Sequence, residues 1–263
     1  METLHSILDF LLGWALDVEL IIEAVPKLAG GLVTTAQLMG ASLAIGMVLA
    51  LLLAGMRLSG KAWLNGPAYA YVFFFRGTPL LVQIFLIYYG LAQFDAIRQS
   101  DILWPIFREP FYCAVFALSL NTAAYTAEII RGGIMAVPPN EVEAARAIGM
   151  SRGKVLRRIM IPHAMRVSIP AYANEVILLL KGSALVSAIT ILDIAGEAQR
   201  LYARTYAPFE PLIAAGLFYL AMTYGITKLA KFIEFMTTPA GKRWWRGLFQ
   251  HGGADTGTEL KAG

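Results

Sequence analysis

The sequence predicts an all-α membrane protein with five transmembrane helices. Three observations carry that reading. Hydrophobic residues make up 57% of the 263 and charged ones 15%, a balance found in chains that live in lipid. The apolar residues fall in runs long enough to cross a bilayer, which takes about 20 residues. Basic residues gather between alternate runs, as the bias of lysine and arginine towards cytoplasmic loops requires.

Taken in order, residues 1–27 mix apolar positions with Glu2, Asp9, Asp17, Glu19 and Glu23. This suits an amphipathic interfacial segment on the bilayer rather than a span. The opening residues also lack the basic stretch and unbroken apolar core of a cleavable signal peptide. The first span is expected from Leu28 to Met56, where Gly30, Gly31, Gly40, Ala44 and Gly46 offer small surfaces for helix contact in lipid. Arg57 and Lys61 follow as a short basic loop.

The second span, roughly Ala68 to Gln93, is interrupted by Arg76-Gly77-Thr78-Pro79. Such residues inside a span must face protein or water. Either Arg76 snorkels to the headgroups and Pro79 kinks the helix, or the four form a hinge lining a pathway with Gln83 one turn on. Asp95 to Pro110 reads as a mixed-charge loop with Trp104 at the interface. The third span, Phe111 to Ile130, carries Asn121, Tyr125 and Glu128 at i, i+4, i+7, hence on one face. That stripe serves either helix–helix hydrogen bonding or substrate contact.

Asn140 to Pro162 is the most highly charged stretch. Asn140 and Glu143 suit a capping box, Gly149 suits a left-handed helix end, and Ser151 can cap a second helix that Pro162 stops or kinks. Two short basic helices at a glycine elbow allow three readings: a plain cytoplasmic loop, a DNA-binding helix-turn-helix, or a helix gripped by a partner protein. The nearby apolar runs leave no room for the soluble core that DNA binding needs.

Val167 begins a fourth span containing Pro170, Asn174 and Glu175 and ending in Lys181-Gly182-Ser183. Only about 22 Å of helix separates Arg166 from Lys181, so Lys181 lies within the membrane or at its far edge. It serves either a midplane transport site beside broken backbone or structural pairing with Glu175 or Glu128. Asp193 to Glu210 reads as a loop, Pro211 to Phe232 as the fifth span, and residues 237–263 as a basic, aromatic and finally disordered tail. With the amino terminus outside, fourteen basic residues up to Arg246 fall inside and five outside; the carboxyl terminus is then cytoplasmic.

Chemistry is sparse. No GxxxxGK[ST] loop occurs, so the chain is not expected to hydrolyse ATP and is not an enzyme. His5, His163 and His251 make no metal-ligand spacing, and Cys113 reads as packing.

The pattern Glu143-Ala144-Ala145, three residues, Gly149, nine residues, Ile159-Met160-Ile161-Pro162 resembles the EAA loop of ABC-importer permeases, with Ile161 where leucine is usual. Arg76-Gly77-Thr78-Pro79-Leu80-Leu81-Val82-Gln83, Asn121 through Glu128, and Asn174-Glu175 through Lys181 are similar to the polar amino-acid permeases. The likeness runs from about Gly30 to Glu234. Gly182 and Ser183-Ala184 depart from it, since the family often has a polar residue and then Thr-Ser there. The resemblance implies a type I importer permease of the bacterial inner membrane, with a transmembrane domain at 28–236 and a cytoplasmic coupling loop at 138–162.

Glu143, Ala144, Ala145, Arg146, Gly149, Ile159 and Pro162 would then meet an ATPase subunit. Gln83, Asn121, Tyr125, Glu128, Glu175, Lys181, Gly182 and Ser183 are the candidate pathway residues. Expected partners are two ATPase subunits that hold the ATP and magnesium, a second permease (identical or paralogous), a periplasmic binding protein and membrane lipid, with no nucleic acid. The Arg204-Thr205-Tyr206-Ala207-Pro208-Phe209 loop resembles permeases for histidine, basic amino acids and opines. The alternative is a secondary carrier or channel acting without an ATPase.

Overall fold

The computed structural model describes residues 18–237. Readings that fall on 1–17 or 238–263, the tail basic residues among them, lie outside the described residues. Among the described residues eleven α-helices follow one another: α1 Val18–Leu58, α2 Ala62–Gly77, α3 Leu80–Phe85, α4 Asp95–Arg98, α5 Trp104–Phe107, α6 Pro110–Met135, α7 Pro139–Ala147, α8 Arg152–Val155, α9 Ile161–Ser183, α10 Ile194–Thr205 and α11 Phe209–Thr237. Four helical runs are long and apolar enough to cross a membrane, and α2 with α3 makes a fifth if counted as one bent span.

Helix α1 is unbroken from Val18, so residues 18–27 belong to the same helix as the expected first span. Its 41 residues extend about 61 Å. Of the glycines expected to bring helices together, two do. A Cβ on Gly46 would overlap Thr122 of α6, and one on Gly31 would lie 2.7 Å from the Asp193 carbonyl oxygen. Gly30 and Gly40 face open space. Close backbone approach of this kind substitutes for the hydrophobic drive that lipid removes.

The second span is not one kinked helix. Thr78 and Pro79 are extended (φ −115° and −64°, ψ 148° and 134°), and α3 leaves α2 at 108°. Proline disfavours helical geometry in the residue before it and offers no N–H to the ladder. After α3 the ladder widens into a π turn at Leu86–Gly90.

Two further departures concern Pro162 and the segment from Asp193 to Glu210. Pro162 does not stop its helix: a π turn at Leu156–Met160 carries α8 into α9. The wider turn displaces the carbonyl four residues back, with which a proline ring would collide. The segment from Asp193 to Glu210, expected as a loop, is mostly α10. Asp193 caps it by accepting from the Gly196 N–H at 2.8 Å, and Tyr206 ends it in the left-handed region (φ 57°). Asp193 also accepts from the Tyr219 hydroxyl of α11 at 3.0 Å, and the Thr35 hydroxyl of α1 accepts from the Ile194 N–H.

Three apolar clusters hold the bundle. Leu38, Ile84, Leu118, Leu179 and Val186 join α1, α3, α6 and α9. Ala24, Leu28, Ile194, Leu201 and Ala214 join α1, α10 and α11. Ala50, Ala54, Val72, Ala124 and Ala127 let α1, α2 and α6 meet closely.

Candidate functional site

Two places gather the chemistry: the elbow between α7 and α8, and a polar layer where α2, α3, α6 and α9 meet. The elbow is built by backbone. Pro138 precedes α7 and Pro139 opens it, so Asn140 lies inside the first turn and does not cap it. A proline at the first helical position needs no N–H partner, which removes the need for the side-chain cap. At the other end Gly149 takes φ +80°. The Gly149 N–H donates to Arg146 O at 2.9 Å and the Met150 N–H to Ala145 O at 3.1 Å. These two bonds are a Schellman closure, and the left-handed residue it needs costs glycine least. Ser151 stands at the start of α8 in extended conformation, though its hydroxyl makes no cap bond.

Ala145 and Val155 are buried in the elbow. Glu143, Ala144, Arg146 and Gly149 are exposed, and Ile148 is 80% exposed. Ile159 lies in the π turn and Pro162 in the first turn of α9, both half-buried. The two helices that carry the loop touch tightly at its neck. A Cβ on Gly133 of α6 would meet the Ala164 carbonyl oxygen at 2.9 Å, and the Ser168 hydroxyl donates to Ile129 O at 3.2 Å.

In the polar layer, the Gln83 amide donates to Phe75 O at 2.9 Å, Thr78 O at 3.1 Å and the Thr78 hydroxyl at 2.7 Å. Asn121 donates to the Gln83 side-chain oxygen at 2.9 Å and to Phe75 O at 3.3 Å. These bonds cover the carbonyls that the break in α2 leaves without helical partners, groups that cannot go unsatisfied in a membrane. Gln83 and Asn121 are therefore bound into the break.

The two carboxylates among the candidate pathway residues differ. Glu128 is shared by Arg57 at 3.2 Å and Arg131 at 2.7 Å, and Arg57 also bonds Asn65 and lies over the Tyr69 ring. Glu175, 5% exposed, accepts from the Thr122 hydroxyl at 2.9 Å and makes no ion pair among the described residues. Lys181 pairs with neither: it is exposed on α9, on the helix stripe that also holds Asn174 and Leu178. Gly182 packs against Leu80, where a Cβ would lie 2.9 Å from the leucine side chain, and the buried Ser183 hydroxyl donates to Leu180 O at 2.8 Å. There α9 narrows into a 3₁₀ turn, Ala184–Ile189. Tyr125 stacks under Arg76, whose guanidinium carbon is 5.2 Å from the ring centre. Of the Arg76-Gly77-Thr78-Pro79 segment, which the sequence left as either a snorkelling arginine with a proline kink or a hinge lining a pathway, Arg76 is thus placed against α6.

Residues 42–235 match the family model described as binding-protein-dependent transport system inner membrane component. The chain is 48% identical over 224 residues to the nopaline transport system permease protein NocM of Agrobacterium fabrum (strain C58 / ATCC 33970), covering 85% of this chain and 93% of that one. It is 40% identical over 214 residues to the histidine/lysine/arginine/ornithine transport system permease protein HisM of Escherichia coli (strain K12), covering 81% and 87%. The crystal structure of an amino acid ABC transporter with histidines superposes with a TM-score of 0.75 at 37% identity, over 84% of this chain and 98% of that one. With an elbow, a broken second span and a bundle of this kind, the chain belongs to the family of inner-membrane components of binding-protein-dependent transport systems.

Proposed function

We propose that this chain is the permease subunit of an ATP-driven importer for a basic amino acid or an opine derived from one. Its amino terminus lies outside and its carboxyl terminus in the cytoplasm, where ATPase subunits grip α7. A second permease, identical or paralogous, completes the pathway, and a periplasmic binding protein delivers the substrate. ATP and magnesium belong to the ATPase; this subunit holds no cofactor.

The observation that carries this reading is the elbow. Helix α7 is an exposed rod about 13 Å long, closed at Gly149 by its own backbone and pinned at the neck where Gly133 meets α9. A partner that moves α7 therefore moves α6 and α9 together. Those two helices carry Thr122 and Glu175, so motion at the loop reaches the polar layer. Alternating access is then a shift between two packings of the bundle.

The names of the nopaline and histidine/lysine/arginine/ornithine permeases support a cationic substrate. Glu175 is the better candidate for its positive end. Glu128 is already neutralised by two arginines, whereas the Glu175 carboxylate has one hydroxyl donor. Lys181 and Asn174 belong to a face of α9 turned towards the second permease.

The test is purification of the tagged chain from its native membrane followed by mass spectrometry and reconstitution. An ATPase, a second permease and nucleotide-dependent uptake of arginine or octopine are expected. A chain that purifies alone and moves solute without nucleotide would be a carrier or channel and would end this reading.

A further inference from the structure

Arg76 ends α2, is exposed, and makes no ion pair among the described residues. Its guanidinium rests on the Tyr125 ring. Tyr125 is one turn along α6 from Thr122, which holds Glu175 of α9. A cation from α2 and a carboxylate from α9 thus reach neighbouring positions on one helix, each without a counter-charge in contact. A cation–π contact replaces only a small part of a guanidinium's hydration, and an arginine at membrane depth needs protein or water to solvate it. Arg76 also lines a groove of about 330 Å³ with Tyr69, Val72, Phe73 and Glu128, at the small end of ligand-sized sites. Glu128 there is taken by Arg57 and Arg131, which leaves Arg76 as the groove's charged group with no acid.

We propose that Arg76 receives the carboxylate of the substrate while Glu175 receives its cationic group, so that the bound molecule bridges α2 and α9 across Tyr125. The proposal rests on the reading of the chain as a permease for a basic amino acid or opine. Guanidinium is the side chain suited to this task, because its fork matches a carboxylate with two parallel charge-assisted bonds. Arg76 also sits two residues before the extended Thr78. A substrate carboxylate held there pulls directly on the 108° break.

The test uses the assembled transporter, with ATPase and partner permease, in nanodiscs. Binding is measured for arginine, for agmatine (the same molecule without the carboxylate) and for citrulline (neutral where arginine is cationic), with octopine and its decarboxylated analogue in reserve if arginine does not bind. Arg76→Gln should weaken arginine by roughly 30- to 100-fold and leave agmatine within about twofold of wild type. Arg76→Lys, which keeps the charge and loses the fork, should fall between for arginine alone. Glu175→Gln should weaken arginine and agmatine alike and change citrulline little.

Equal losses of arginine and agmatine in the Arg76 variants, or unchanged arginine binding, would make Arg76 a structural or headgroup anchor and overturn the assignment while the Glu175 result still stands. Unchanged arginine binding in Glu175→Gln, or a wild-type complex that binds neither arginine nor octopine, would overturn the substrate reading and this proposal with it.

Discussion

The elbow at Gly149 and the break at Pro79 both interrupt a helix, by opposite means. The elbow is closed by its own backbone, with every partner within five residues: Gly149 to Arg146 and Met150 to Ala145. It then presents its polar surface outward. The break is closed from a distance, by Gln83 and by Asn121, which lies 46 residues from Phe75. An interruption in contact with water can be left open on one side; one at membrane depth has to be filled by other helices. So the first is a handle that a partner can hold, and the second is a joint whose setting depends on the whole bundle.

Substitutions can break or sharpen that contrast. The largest effect on transport is expected from Gly149→Val. A β-branched residue at φ +80° costs roughly 1–3 kcal/mol of local strain. That reshapes the loop while leaving the spans inserted. Uptake should fall by more than about tenfold, with the chain still present in the membrane and ATPase co-purification reduced. A variant with normal uptake would show that the elbow's shape is not what the motor reads.

Next comes Glu128→Gln, which strips two arginines of a shared, largely buried partner. A loss of about 3 kcal/mol is expected, read as a lowered thermal midpoint of the purified complex. A midpoint within error of wild type would mean that water already solvates the cluster.

Gln83→Leu should cost about 1–3 kcal/mol by leaving the Phe75 and Thr78 carbonyls with fewer donors. Because Asn121 bonds both Gln83 and Phe75, the double variant with Asn121→Leu should cost less than the sum of the singles. Additive losses would mean that the two amides act separately. The smallest stability effect is expected for Lys181→Met, within about 0.5 kcal/mol, since Lys181 is exposed and has no acidic partner among the described residues. Uptake should nevertheless slow several-fold if α9 lines the route; full uptake would remove Lys181 from it.

Much of this was legible in the residues, and the departures have separate causes. The span count and Gly149 rest on runs and spacings that lie within one element, and both appear in the structure. Asn140 was misjudged as a cap because two prolines ahead of it already open the helix. Pro162, expected to stop or kink its helix, does not stop it, because a π turn just before it carries the helix on. The α10 helix was missed despite a usable signal: Asp193 as cap, then Ile194, Ala198 and Leu201 on one buried face. Pairing of Lys181 with Glu175 or Glu128 was a guess about distance between helices. In the folded bundle Arg57, Arg131 and Thr122 reach those carboxylates instead. No spacing along the chain encodes that competition.

Helix α1 is about twice as long as a ~30 Å hydrocarbon layer is thick, and the two ends of the surplus are treated differently. Near Val18 it is braced by α10 and α11 through Ala24 and Leu28; at the other end Arg57 ties it to α6. A helix with apolar length to spare and supports at both ends can meet thicker or thinner bilayers by changing its tilt as one piece with its neighbours. Transport by this chain should therefore vary little across lipids of different acyl length.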